Sequence, residues 1–137
     1  MNNTIECPET DYLYKSQSQI KDAGTGLFTA IDLFQDETVA VFLGEVLTDD
    51  QAQERADSGK DAYFINLLDG SIMDSMRVMC FAKYANDAQG SSNSAFKNNA
   101  RITLDEEDNV CIQAIRNIKT DEEVFCSYGK KYWQKRG

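Results

Sequence analysis

The chain has 137 residues, 42% hydrophobic and 27% charged, the size and balance of one ordinary domain with a single core. A net charge of −9 argues against general attraction to nucleic-acid phosphate and favours a cationic partner. Histidine is absent, which excludes histidine triads, histidine metal sites and imidazole acid–base chemistry.

Residues 11 to 20 place Tyr12, Tyr14 and Ile20 among polar residues, which predicts a strand or two at a sheet edge. Asp22-Ala23-Gly24-Thr25-Gly26 is a turn cluster. Residues 38 to 43, Thr-Val-Ala-Val-Phe-Leu, read as a buried strand ending at Gly44. Thr48 and Gln51 form a capping-box pattern that opens a surface helix running to about Asp57. Residues 62 to 68 form a strand, Asp69-Gly70 a turn, and Ser71-Ile72-Met73 the return of a hairpin.

Residues 101 to 104 and 110 to 115 form a second hairpin around the acidic tip Asp105-Glu106-Glu107-Asp108-Asn109. That tip lacks the glycine and ligand spacing of a calcium loop and reads as a solvated turn. Residues 123 to 126 form a last short strand, and Gly129 releases a short terminal helix rich in Lys and Arg. Glu122 and Glu123 point to opposite faces, so they do not serve one two-carboxylate site and read as a turn before the strand. The sum is a mainly β fold in a single domain, 1–137, without repeats or an evident linker.

No apolar run approaches the ~20 residues of a membrane helix. Met1-Asn2-Asn3-Thr4-Ile5-Glu6 lacks the regions of a secretory signal, so the expectation is an intracellular product, in nucleus or cytoplasm, that engages no membrane. Cysteines stand at 7, 80, 111 and 126, with no zinc-knuckle or redox spacing. They read as reduced thiols, those at 80, 111 and 126 as small buried hydrophobes, and no metal site is expected.

Three segments carry chemistry jointly: Gly24-Thr25-Gly26-Leu27-Phe28, Lys83-Tyr84-Ala85-Asn86-Asp87, and Cys126-Ser127-Tyr128-Gly129 followed by Trp133. Taken singly, the first is a turn and Asn86 a turn asparagine. Together, in this order, they resemble the SET domain of protein-lysine methyltransferases in its compact stand-alone form, over about residues 18 to 135. Phe42-Leu43-Gly44-Glu45, Asn98-Asn99-Ala100 and Glu122-Glu123 are similar to further steps of the family pattern. The chain departs from it at Phe42, where tyrosine is usual, and at Asp87, where histidine is usual.

The resemblance implies a β-clip-like fold of small sheets with few short helices and a pseudoknot-like C-terminal crossing. It implies S-adenosylmethionine as cofactor, held by Gly24, Thr25, Gly26, Leu27, Lys83, Tyr84, Asn86 and Trp133. It implies a lysine channel lined by Tyr63, Cys126 and Tyr128, with Tyr128 as the catalytic tyrosine. For Tyr63 an ordinary strand aromatic stands as an equal alternative. The small Cys126 hints at more than one methylation. The implied partner is a basic, lysine-bearing protein or peptide, for which histone tails fit, with no direct contact to nucleic acid. Two other readings stand beside this one: a SET-like pseudoenzyme that binds cofactor or peptide, and an unrelated mainly β interaction domain.

Overall fold

A computed structural model of the chain describes residues 7–20, 24–61, 63–67, 70–88 and 97–127. The described residues form three small sheets. The first is three-stranded, in the order β1 (Leu13–Gln17), β2 (Thr25–Thr29) and β9 (Glu123–Val124). The second is four-stranded, in the order β10 (Cys126–Ser127), β7 (Ala100–Leu104), β8 (Val110–Ala114) and β3 (Thr38–Val41). The third runs β4 (Glu45–Leu47), β6 (Ile72–Asp74), β5 (Phe64–Asn66). This is the mainly β architecture of small sheets and few short helices expected from the sequence. No helix among the described residues is long and apolar enough to cross a membrane.

Local sequence explains most elements. Helix α2 (Asp49–Asp57) opens on a complete capping box: Thr48 Oγ1 accepts the Gln51 N–H and Gln51 Oε1 accepts the Thr48 N–H. Only Ala52 of this helix is buried, as its polar sequence predicts. Strands β5 and β6 form the expected hairpin, in the register Phe64↔Asp74. The 68–69 part of its turn lies outside the described residues. Strands β7 and β8 form the second hairpin. Its acidic tip closes on Asp105, whose carboxylate accepts the N–H groups of Glu107 and Asn109, so the tip is a turn.

Three expectations are corrected. The strand expected at 38–43 is buried at Val39, Ala40 and Phe42 but is shorter, since β3 ends at Val41 on a sheet edge and Leu43 is half-exposed. Its outer edge is covered by a one-turn helix, α1 (Glu9–Tyr12), which periodicity did not reveal. There Glu9 Oε2 accepts the Val41 N–H and Tyr12 Oη donates to the Val39 carbonyl, satisfying an otherwise open edge. Burial raises the Glu9 carboxyl above its ordinary range, a rise opposed by the Val41 hydrogen bond.

The last strand is split. Phe125 leaves the first sheet, forms a parallel bridge with Asn86, and β10 then joins the second sheet parallel to β7. The chain end thereby links two sheets. The Gly-Thr-Gly segment is not all turn, since β2 begins at Thr25.

One main core draws on all three sheets, with Leu27, Leu33, Val39, Ile112, Ile118 and Val124 fully buried and Ile65 of the third sheet joining them. The buried carboxamide of Asn99 fastens the C-terminal strand to this core. Its Nδ2 donates to the Glu123 carbonyl at 2.9 Å and its Oδ1 accepts the Phe125 N–H at 2.8 Å. Asn99→Ala strands two buried backbone groups and is expected to lower stability by about 2–4 kcal/mol. Urea unfolding measures it, and a loss within error of zero would show that the clamp is dispensable.

Candidate functional site

The separated motifs meet at Asn86. The 3-10 turn Ala82–Tyr84 leads the chain between two strands. The Asn86 carbonyl then accepts the Cys126 N–H at 2.9 Å, and Asn86 Nδ2 donates to the Thr25 carbonyl at 3.1 Å. One mid-chain residue thus touches both the glycine bend and β10. Its Oδ1 takes no partner among the described residues. Asn98 steadies the next residues, its Nδ2 donating to Asp87 Oδ1 and its Oδ1 accepting the Ala88 N–H.

The glycine bend is shaped from within the protein. Gly24 has φ +75, a left-handed conformation that side chains resist, and its carbonyl accepts the Ser18 N–H at 2.7 Å. A Cβ on Gly26 would collide with the Glu123 carboxylate. Glycine at 26 is therefore required by a packed carboxylate, a reason additional to the open main chain that a ligand needs. Thr25 is exposed, whereas the Leu27 side chain is fully buried in the core. Any contact from Leu27 to a ligand is made by its main chain.

Lys83 is committed elsewhere. Its Nζ donates to the carbonyls of Ser75 at 2.9 Å, Val78 at 3.1 Å and Met76 at 3.4 Å. The same ammonium lies 5.2 Å from the Tyr63 ring centre and 5.4 Å from that of Tyr84. Lys15, from β1, lies 5.0 Å from the Tyr84 ring centre. Tyr63 and Tyr84 thus share one cation, and the same ammonium closes the 75–78 turn.

Cys126 sits in the main core with no exposure. Burial, with a smaller contribution from the Asp87 charge, pushes its thiol up to about 12. Cys80 and Cys111 are likewise buried, and Cys7 is exposed, all as free thiols. Tyr128, Trp133 and the expected terminal helix lie outside the described residues. A surface cavity of about 270 Å³ opens beside α1 and β3, lined by Cys7, Pro8, Glu9, Tyr12 and residues 38 to 41. None of the site residues expected from the sequence borders it.

Two residues at this junction escaped sequence reading. Glu123, read both as part of a turn and as the start of the last strand, does open β9, but its burial and its hold on Ser18 and Gln19 were not foreseen. Asn99 was visible as part of a motif, but its grip on β9 and Phe125 was not. Both act on partners at least 24 residues away, and no local pattern announces such pairs.

This junction of glycine bend, mid-chain asparagine and C-terminal strand defines a class. The SET domain family matches residues 24–129, and the chain belongs to that family. Among solved structures it is similar to ctPRC2 in an autoinhibited conformation bound to S-adenosylmethionine, at 26% identity over 88% of this chain, with a TM-score of 0.71. Polycomb Repressive Complex 2 of Chaetomium thermophilum bound to GSK126 is similar at 27% identity over 88% of this chain, with a TM-score of 0.69. The chain spans only 15% and 16% of the lengths of those two chains. No curated protein matches the sequence.

The raised Cys126 and Cys111 thiols carry a pH signature. Both are above the ordinary 9.0, to about 12 and about 11 respectively, each chiefly through burial. Above pH 9 the unfolded chain releases these protons while the folded chain keeps them, so stability falls as pH rises from about 9. Cys126→Ala is expected to flatten that fall by about 1.4 kcal/mol per pH unit between pH 9 and 11. Denaturation series at several pH values measure it, and an unchanged slope would contradict the burial of this thiol.

Proposed function

We propose that this chain is a protein-lysine methyltransferase that moves a methyl group from S-adenosylmethionine to a lysine nitrogen of a basic protein, with histone tails among the fitting substrates. The observation that carries the reading is the junction at Asn86, where one carboxamide reaches the glycine bend while its backbone holds the strand leading to Tyr128. The donor set suits the cofactor. Gly24 has open space where a side chain would stand, and Asn86 keeps Oδ1 without a partner among the described residues while offering an amide donor. When bound, the cofactor supplies an electrophilic methyl group on a sulfonium.

The chain's own part is placement. Gly24, Thr25, Gly26 and Leu27 border the cofactor through main-chain atoms, and Asn86 fixes its orientation. Lys83 and Tyr84 belong to the 82–84 turn that leads to Asn86, and Trp133 would cover the adenine side. Tyr63, Cys126 and Tyr128 belong to the wall of the lysine channel. Tyr128 uses its hydroxyl to align the incoming nitrogen, since in-line placement is the main source of rate in such a transfer. An apolar channel favours the neutral amine over the ammonium, whose ordinary pKa is about 10.4. No imidazole is needed, in keeping with a chain that has none. The charge of −9 raises the local concentration of basic peptides. An intracellular setting, nuclear or cytoplasmic, belongs to the same proposal.

The test is transfer of labelled methyl from S-adenosylmethionine to a panel of basic peptides, with S-adenosylhomocysteine binding followed by calorimetry. Tyr128→Phe is expected to lower turnover by about 100-fold while leaving binding within about threefold. Asn86→Ala is expected to weaken binding by about tenfold. Full activity in Tyr128→Phe would remove the tyrosine from the mechanism. Binding without transfer to any peptide would favour the pseudoenzyme, and no binding at all would defeat the reading.

A further inference from the structure

We infer that Glu123 is a positioning residue for the cofactor, a buried carboxylate that sets where the glycine bend stands relative to strands β9 and β10 and to Asn86 beside them. The inference rests on the methyltransferase reading above. Glu123 is 1% exposed, and each of its oxygens holds a different donor. Oε2 accepts the Ser18 hydroxyl at 2.6 Å and Oε1 accepts the Gln19 N–H at 2.7 Å. Ser18 in turn accepts the Ile20 N–H through Oγ at 3.1 Å and gives its own N–H to the Gly24 carbonyl at 2.7 Å. One carboxylate thereby fixes the segment entering the bend, and that segment fixes Gly24.

The exit from the bend is fixed by contact. Gly26 lies against the same carboxylate, so closely that no Cβ fits between them. Phe28, two residues on, is the strand partner of Glu123. At its other end Glu123 is tied by Asn99, which donates to its carbonyl at 2.9 Å. Of the residues that follow, Phe125 bridges Asn86, and the Cys126 N–H donates to the Asn86 carbonyl. Stability alone does not call for a charge here. Burying a carboxylate is costly, and an apolar side chain fills a core position more cheaply. What a carboxylate adds is two divergent acceptors on one rigid group, enough to hold a serine hydroxyl and a backbone amide in fixed relation.

Glu123→Gln preserves shape but leaves one acceptor oxygen where there were two. Calorimetry with S-adenosylhomocysteine is expected to show about tenfold weaker binding, and kinetics a similar rise in KM for S-adenosylmethionine with kcat within about threefold. Ser18→Ala, which keeps the carboxylate and its bond to Gln19, is expected to weaken binding by about threefold, and it carries the test if Glu123→Gln does not fold. Gly26→Ala should weaken binding less in a Glu123→Ala background than in the wild type, because the colliding group is gone. If the wild type binds S-adenosylhomocysteine and the folded variants bind it equally well, the positioning role is overturned while the methyltransferase reading stands. A wild type that does not bind it overturns both.

Discussion

Two adjacent asparagines hold this fold together where it matters. Asn99 reaches the backbone of Glu123 and Phe125 through both ends of its carboxamide, and its own N–H and that of Ala100 meet the Phe125 carbonyl. Asn98 grips Asp87 and Ala88 in the same way. The pair therefore fastens the mid-chain segment and the C-terminal strand side by side, each bond made in or near the core, where an unmade one is expensive. Without this fastening Phe125 has no reason to leave the first sheet, and Asn86 has no strand to lie against.

The consequence is a site built at a seam between sheets. The glycine bend belongs to the first sheet, the Asn86 turn to a connection, and the strand toward Tyr128 to both the first and second sheets. Small sheets suit such a seam, because their strands end early and leave backbone groups for cross-links. Those groups are taken by neighbouring segments: Thr25 by Asn86, Asn86 by Cys126, Glu123 by Asn99. Placement is then supplied by main chain, in keeping with the proposed reaction, which depends on alignment more than on proton transfer.

Local signals were legible and distant ones were not. The capping box at Thr48, the 64–74 and 100–114 hairpins, and the acidic turn at Asp105 follow from residues within a few positions of one another, and all appear. The three motifs were readable as a set, and those parts of them that are described do converge on Asn86. The cover of β3 by Glu9 and Tyr12, the switch of sheets at Phe125, the capture of Lys83 by the 75–78 turn, and the burial of Glu123 each depend on a tertiary partner. Glu123 is the clearest case, because its ligands Ser18 and Gln19 lie more than 100 residues away. A carboxylate next to another carboxylate reads locally as solvated turn, and only the packed structure separates exposed Glu122 duties from buried Glu123 ones: Glu122 pairs with Arg116 at the surface.

The central claim is that the glycine bend, the mid-chain carboxamide and the terminal phenol frame a single cofactor pocket. A crystal structure of the chain with S-adenosylhomocysteine tests it most directly. The account predicts the ligand against the Thr25–Gly26 main chain and the Asn86 carboxamide, with the Tyr128 hydroxyl beside its sulfur. A ligand seated elsewhere, or a Tyr128 hydroxyl on a different surface from Asn86, would contradict it.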